Sequence, residues 1–285
     1  MDHGLRQLRA WLAWQQAAGA VDLVGEPADP ALALPSSVPT LPEAAEPADA
    51  RPLAALLPGM PAQAIAPPVR RSETGDVATA RRLALACPDL VALEAALAGF
   101  EGCALRRTAT RLCFADGNPA SPLVLIGEAP GAEEDRQGKP FVGPSGRLLD
   151  RMLATIGLDR SRFWITNCLF WRPPGNRTPS PQEVAVCQPF LERALELVQP
   201  RIVLFVGGTA ARTLLGLEAG VTRLRGTLRS WHPDWSPQPI ETLVTFHPAY
   251  LLRNPAQKKL VWRDLLQLCQ RLEADSGAGP GGRPH

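Results

Sequence analysis

From Pro122 onward, short runs of β-branched residues alternate with longer segments in which apolar residues recur at helical spacing. This alternation is typical of repeated βα units around a mostly parallel sheet, and therefore predicts an α/β fold. Four strands are predicted, at residues 123–127, 163–167, 202–207 and 242–246. Helices are predicted at residues 145–156, 181–198, 209–215 and about 255–272.

The first 75 residues differ in composition from the rest of the chain. Residues 26–70 contain 11 prolines and 12 alanines, which favour extended backbone and offer little apolar surface to bury. A linker without fixed structure is therefore expected over residues 26–75. Residues 1–25 are expected to form an amphipathic helix, which either packs on the folded domain or binds a partner protein. The folded domain is expected over residues 76–273 and a flexible tail over residues 274–285.

Charge and cysteine content exclude several classes of protein. The 30 Lys and Arg residues against 28 Asp and Glu residues give a net charge of +2, so the chain is not a polyelectrolyte. Six cysteines are too few for a disulfide scaffold in a chain of this length. No membrane span or secretory signal is readable, and we expect a cytoplasmic protein with reduced thiols.

Polar residues and glycines follow each predicted strand directly. Glu128 follows the first strand, Asn167 ends the second, and His247 follows the fourth. Because the carboxyl ends of strands in an open α/β sheet converge on the ligand crevice, these three side chains are expected around one site. A carboxylate directly after a buried strand is either hydrogen-bonded for structure or poised for chemistry.

The segment from Gly127 to Gly143 contains glycines, a lysine and a run of acids, as a phosphate-binding loop does. The spacing is wrong for a Walker loop, because six residues separate Gly131 from Gly138 and Pro140 follows the lysine. The acidic run is either solvated or suited to handling protons and water. Phe141, in a rigid glycine-flanked loop, is either a core residue or a platform for stacking a base.

Five motifs occur in the order typical of one enzyme family. They are Gly-Glu-x-Pro-Gly from Gly127, Gly-x-Pro-Phe-Val-Gly from Gly138, the strand-end Asn167, Arg-Pro-Pro-x-Asn-Arg from Arg172, and His-Pro-Ala-Tyr-Leu-Leu-Arg from His247. Over about residues 99–272 the chain resembles the family 4 uracil-DNA glycosylases, the thermostable bacterial and archaeal type of the uracil-DNA glycosylase superfamily. The resemblance implies a three-layer α/β/α fold with a central four-stranded, mostly parallel sheet. It also implies excision of uracil in base-excision repair.

The resemblance implies how the flipped uracil is bound. Asn167 is expected to read the uracil edge, accepting a hydrogen bond from N3 and donating one to O4. Phe141 is expected to stack on the ring, and Gly127 and Ala129 to line the pocket. Extruding the base from the DNA stack costs a few kcal/mol, which such contacts must offset.

The resemblance implies the catalytic groups as well. His247 is expected to donate a hydrogen bond to O2 of uracil and so to stabilise the anion that forms as the glycosidic bond breaks. Glu128 is expected to orient the attacking water, with Glu134 or Asp135 as alternatives. The expected reaction is monofunctional hydrolysis, without a covalent lysine intermediate and without a required cofactor.

The expected partner is uracil-containing DNA, bound by a monomer that is nucleoid-associated when on DNA. Leu251 and Leu252 are expected to form an apolar wedge that fills the gap left by the flipped nucleotide. Arg177, Arg225 and Arg253 are expected to contact phosphates.

Family members usually carry a 4Fe-4S cluster on four cysteines. Aligned by motif, Cys103 and Cys187 match the second and fourth ligands, whereas Phe100 and Trp171 occupy the first and third positions. We therefore expect the cluster to be absent or incomplete, with an aromatic plug in its place.

Two other functions are compatible with parts of the pattern. The first is a catalytically weak uracil-binding, DNA-binding or polymerase-associated module that retains the fold. The second is a member of the superfamily that traps uracil covalently through an inserted histidine loop. The second is disfavoured, because no histidine lies between Phe141 and Arg172.

Overall fold

Four nearly all-apolar strands form the centre of one sheet, because side chains on both of their faces are buried. The computed structural model describes residues 73–277 of the chain. Its strands are β1 (Ala115–Gly117), β2 (Leu123–Gly127), β3 (Trp164–Asn167), β4 (Ile202–Val206), β5 (Arg229–Trp231) and β6 (Ile240–Thr245). They pair in the order β1-β3-β2-β4-β6-β5. The predicted parallel centre is confirmed, since β3, β2, β4 and β6 all run in the same direction.

The sheet has two more strands than the sequence predicted. β1 and β5 pair antiparallel at opposite edges, on β3 and β6 respectively. Each is three residues long, with the sequences Ala-Asp-Gly and Arg-Ser-Trp. Neither contains an apolar run, so the hydrophobic pattern offered no signal for them.

The helices form between and beside the strands, and four of the nine α-helices that the structure shows between residues 73 and 277 lie where helices were predicted. They are α1 (Glu73–Leu85), α2 (Leu90–Gly99), α3 (Ala132–Gln137), α4 (Pro144–Ala154), α5 (Pro181–Val198), α6 (Gly208–Leu215), α7 (Val221–Leu224), α8 (Pro248–Arg253) and α9 (Lys258–Gly277). α5 has the predicted bounds because a capping box starts it: Ser180 accepts from the amide of Glu183, whose carboxylate accepts from the amide of Ser180.

Two hydrophobic layers cover the sheet, one on each face. Alternate residues of β2 point to opposite sides, so Val124 and Ile126 pack with α1, α2, α5 and α6. Leu123 and Leu125 pack with α4, α8 and α9. The three-layer α/β/α arrangement is therefore confirmed.

The expected domain limits differ slightly from the helices that the structure shows. α1 begins at Glu73, three residues before the expected start, and α9 continues to Gly277, past the expected end at residue 273. The predicted helix in residues 1–25, the linker up to residue 72 and the tail after residue 277 lie outside the described residues. Between residues 73 and 277, no helix is both long and apolar enough to cross a membrane.

Candidate active site

The carboxyl ends of β2, β3 and β6 open into one cleft with a volume of about 690 Å³. Most residues that the sequence assigned to the site line this cleft: Glu128, Ala129, Glu134, Phe141, Asn167, Arg177, His247 and Arg253. Pro173 and Asn176 line it too, although no role was assigned to them. Both belong to the Arg-Pro-Pro-x-Asn-Arg motif, and this is the sequence feature from which their place in the cleft could have been predicted.

Gly127 lies beneath the side chains of Phe141 and Asn167. It pairs with Asn167 across β2 and β3 at the carboxyl end of the sheet. A Cβ atom at residue 127 would lie 2.3 Å from Oδ1 of Asn167 and 2.4 Å from Cζ of Phe141. Both side chains are almost fully buried. The absence of a side chain at residue 127 therefore lets the ring and the amide meet at one point of the cleft.

His247 has a defined tautomer and a defined charge. It precedes α8, and its Nδ1 accepts a hydrogen bond from the backbone amide of Ala249, at 3.2 Å. In the neutral ring the proton is therefore on Nε2. Burial lowers the pKa of His247 to about 4, so the ring is neutral at pH 7. The ring centroid lies 5.8 Å from that of Phe141. His247 is thus a neutral hydrogen-bond donor beside the aromatic ring.

Glu128 supplies a carboxylate to the cleft. It follows β2 directly, and its backbone carbonyl accepts from the amide of Leu169, at 3.0 Å, which ties it to the end of β3. Within residues 73–277, no hydrogen bond or ion pair engages its side chain. The Glu128 carboxylate therefore remains available to a water or a substrate in the cleft.

Glu134 is placed differently, because backbone amides occupy both of its carboxylate oxygens. Oε1 accepts from the amides of Val142 and Gly143, at 3.0 and 2.8 Å, and Oε2 accepts from the amide of Gly131, at 3.1 Å. The alternative acid, Asp135, uses Oδ1 in the same way, accepting from two amides near residue 110. This geometry does not favour Glu134 or Asp135 as the acid that orients water. Both carboxylates instead accept hydrogen bonds from the backbone of neighbouring loops.

Comparison with known proteins decides the family. Residues 114–266 match the model of the uracil DNA glycosylase superfamily. A type-4 uracil-DNA glycosylase of Thermotoga maritima is 37% identical over 166 residues, which are 57% of this chain and 84% of that protein. The chain belongs to the uracil-DNA glycosylase superfamily. It belongs to the type-4 branch, as the resemblance indicated.

Two further type-4 uracil-DNA glycosylases match over similar lengths. That of Archaeoglobus fulgidus is 40% identical over 157 residues, covering 54% of this chain and 78% of the relative. That of Sulfurisphaera tokodaii is 33% identical over 171 residues, covering 58% and 77% respectively. Membership of this family makes the chain a DNA glycosylase, and thus a hydrolase.

The two leucines that were predicted to form a wedge have different surroundings in this glycosylase. Leu251 is fully buried and packs in the hydrophobic layer with α4 and α9. Leu252, the next residue of α8, is 46% exposed. The place of Leu251 in the core does not favour its predicted entry into DNA. The neighbouring Arg253 is also exposed and lines the cleft.

The two arginines predicted to contact phosphates elsewhere have different surroundings. Arg177 forms a two-pronged ion pair with Glu183, at 2.6 and 2.9 Å, yet its side chain is 48% exposed and lines the cleft. Arg225 does not line the cleft. Its side chain is 13% exposed, pairs with the buried Asp264 and donates to the carbonyl of Leu260. The ion pair with Asp264 does not favour Arg225 as a residue that contacts DNA.

The residues at the family's cluster position do not fit a 4Fe-4S cluster. Such a cluster needs four cysteine thiolates, and here Cys103 and Cys187 lie with their sulfurs 4.0 Å apart. Phe100 and Trp171 are buried in the same hydrophobic layer. No group of three or more His, Cys, Asp or Glu side chains able to hold a metal ion exists among residues 73–277.

Aromatic side chains belong to the same hydrophobic layer as those two thiols. The ring of Phe100 packs against Phe190, with centroids 5.3 Å apart, and lies directly over Gly102. The hydrogen bond to Cys103 and burial both raise the pKa of Cys187 well above its ordinary value, so Cys187 is a protonated thiol. Both thiols are almost fully buried, as small core residues are.

Proposed function

We propose that this protein is a monofunctional uracil-DNA glycosylase of base-excision repair, which hydrolyses the N-glycosidic bond of uracil and leaves an abasic site. The observation that carries the proposal is the meeting of Phe141, Asn167, His247 and Glu128 in one cleft of a type-4 family member. Each of these residues supplies one function that base excision requires.

Recognition of uracil depends on Phe141 and Asn167. The Phe141 ring offers a flat face for the flipped base, and stacking one base is worth roughly 1–3 kcal/mol. The Asn167 side chain is 2% exposed, so competing water is excluded from its amide. Its carbonyl oxygen accepts from N3 of uracil and its amino group donates to O4. Cytosine is rejected because its N3 is an acceptor and its N4 group is a donor.

Bond cleavage depends on His247 and Glu128. As the bond between C1′ and N1 breaks, negative charge develops on uracil, and the Nε2 proton of neutral His247 stabilises it at O2. Positive charge develops on the sugar, and the Glu128 carboxylate stabilises it while orienting water toward C1′. Water forms the new bond to C1′ and passes a proton to the carboxylate. The products are free uracil and an abasic sugar.

DNA is held from the rim of the cleft. Leu252 occupies the gap that the extruded nucleotide leaves, and Arg253 and Arg177 contact flanking phosphates. The enzyme acts as a monomer in the cytoplasm on uracil-containing DNA. These chemical steps are assigned to side chains of this chain and to water, and none is assigned to an iron-sulfur cluster.

The proposal is tested with a labelled oligonucleotide that contains one uracil, as a single strand and as a duplex. Abasic sites are revealed by alkaline cleavage. We expect Asn167→Ala and His247→Ala each to lower the single-turnover rate by about 100-fold or more, because each removes a hydrogen bond made to the departing base. His232→Ala is the control, because His232 lies outside the cleft and is expected to leave the rate unchanged.

An inert wild-type enzyme on both substrates would overturn the proposal. The binding-module alternative would then predict that fluorescence anisotropy detects tighter binding to uracil-containing DNA than to a thymine-containing control. If His232→Ala loses as much activity as His247→Ala, the assigned role of His247 is also refuted.

A further inference from the structure

We propose that Arg160 is a positioning residue for Phe141, the aromatic ring that stacks on uracil. This inference rests on the proposed function and deepens it. Arg160 lies outside the five family motifs and does not line the cleft. Its guanidinium nevertheless holds the backbone that fixes the angle of the Phe141 ring.

Phe141 has a backbone conformation that a bulky residue rarely adopts. Its φ angle is +56°, in the left-handed region, where the Cβ atom crowds the backbone. Such a conformation persists when the surroundings hold it in place. The contacts on both sides of Phe141 therefore decide where its ring lies.

Arg160 holds the carbonyl side of Phe141. Its Nη2 donates to the Phe141 carbonyl at 2.6 Å, and its Nη1 approaches the Pro140 carbonyl at 3.4 Å. Asp150 of α4 accepts from Nε and Nη2, at 2.9 and 3.2 Å, and Asp116 of β1 accepts from Nη1, at 3.2 Å. Two carboxylates on separate elements thus orient the guanidinium. Its position, and that of the Phe141 carbonyl, follow from the fold.

Glu134 holds the same peptide group at its other end, because it accepts from the amide of Val142, and it also accepts from the amide of Gly143. Gly146 provides the space, because a Cβ atom there would lie 1.8 Å from the Phe141 carbonyl oxygen. The peptide group after Phe141 is therefore held at both its carbonyl and its amide, and Arg160 also approaches the carbonyl of the peptide group before it. Glu134, expected from the sequence to be catalytic, acts with Arg160 in this clamp.

The clamp determines what the ring touches. With the backbone held left-handed, the Phe141 ring lies against Gly127 beside the Asn167 amide, and 5.8 Å from the His247 ring. Without Arg160 the Phe141 carbonyl loses its donor, and the residue is free to return to an ordinary backbone conformation. The ring would then leave the position in which it stacks on uracil.

A double-mutant cycle separates positioning from general structural support. Arg160→Met is expected to lower kcat/KM on uracil-containing DNA by at least about 10-fold, because small misplacements of binding groups are costly. In a Phe141→Ala background the same substitution is expected to change kcat/KM by less than about 2-fold, since there is no ring left to position. Arg162→Met, two residues further on and exposed, is the control and should be silent in both backgrounds.

An equal loss in both backgrounds would overturn the proposal, because it would mean that Arg160 supports the enzyme by some other route. If Arg160→Met does not fold, Arg160→Lys is used in the same cycle. Lysine keeps the charge but lacks the planar fork that reaches two carboxylates and a carbonyl together.

A crystal structure of the Arg160 variant makes the test independent of turnover. The expected result is that Phe141 leaves the left-handed region and its ring moves away from Gly127. A Phe141 ring in an unchanged position would refute the proposal even if wild-type enzyme were inert on uracil-containing DNA. Failure of the clamp and failure of the proposed function are therefore distinguishable.

Discussion

At the scale of single residues, the geometry of the cleft depends on a glycine as much as on the side chains that line it. Gly127 has no side chain, and this is why Phe141 and Asn167 reach the same point of the cleft. No positive φ angle requires glycine there, so an alanine would be tolerated by the backbone itself. Any effect of a substitution at residue 127 therefore reports the two neighbouring side chains.

Gly127→Ala is expected to lower the excision rate by about 100-fold, because a new methyl group displaces the stacking ring and the reading amide together. Gly220→Ala is the matched control, since Gly220 has a φ angle of −68° and an added Cβ atom would meet no heavy atom within 4 Å. Single-turnover rates of both variants provide the measurement. Near-normal activity of Gly127→Ala would show that the ring and amide do not need their present positions.

The burial of His247 predicts how the free energy of unfolding depends on pH. Burial lowers its pKa to about 4, against about 6.5 in an unfolded chain. The unfolded state therefore binds more protons between these values, and the stability that neutral His247 contributes is present above pH 6.5 and lost as the pH falls toward 4. Excision should likewise lose the neutral donor only near pH 4.

Urea unfolding of wild type and His247→Asn at pH 7, 5.5 and 4.5 measures this difference. Wild type should lose free energy of unfolding relative to the variant as the pH falls. Burial raises the pKa of Asp264 to about 6, and the effect of this shift on stability has the opposite sign. Because Asp264 is present in both proteins, its contribution cancels in the comparison. Parallel pH profiles of the two proteins would contradict an uncharged, buried His247.

At the scale of secondary-structure elements, two neighbouring leucines of α8 have different surroundings. Consecutive residues of a helix point about 100° apart, so Leu251 enters the core while Leu252 faces solvent. The motif alone specifies no helix rotation, and for this reason the sequence could not choose between the two. The rotation is fixed by packing of α8 against α4.

From the packing of the segments around Cys103 and Cys187, we predict that the protein folds without iron. The protein as purified should contain no stoichiometric iron or sulfide, and Cys103→Ser with Cys187→Ser should change the excision rate by less than about 3-fold, because neither thiol lines the cleft. Phe100→Ala should lower the free energy of unfolding by about 3–5 kcal/mol, since it leaves a cavity in the core.

Iron analysis and urea unfolding check these expectations. A full complement of cluster iron in wild type, lost in the double cysteine variant, would contradict the aromatic plug. A stable Phe100→Ala variant would show that the ring contributes little to holding these segments together.

At the scale of the whole molecule, the features that could be predicted from the sequence are those that a repeated pattern or a motif encodes. The central strands were visible because they are apolar runs, and the cleft was visible because Glu128, Asn167 and His247 follow such runs. Contacts between distant segments were not visible. Arg160 with Asp116 is one example and Arg225 with Asp264 is another, since a lone arginine has the same appearance in sequence whether it binds DNA or a buried carboxylate.

The most direct test of uracil excision is mass spectrometry of the reaction products, without alkali. Wild-type protein incubated with a uracil-containing strand should release free uracil and leave an unbroken strand in which the base is replaced by a hydroxyl group. The amounts of uracil and abasic strand should be equal, and His247→Ala should form little of either. An unchanged strand would contradict glycosylase activity, and a strand broken at the abasic site by the enzyme itself would contradict the monofunctional mechanism.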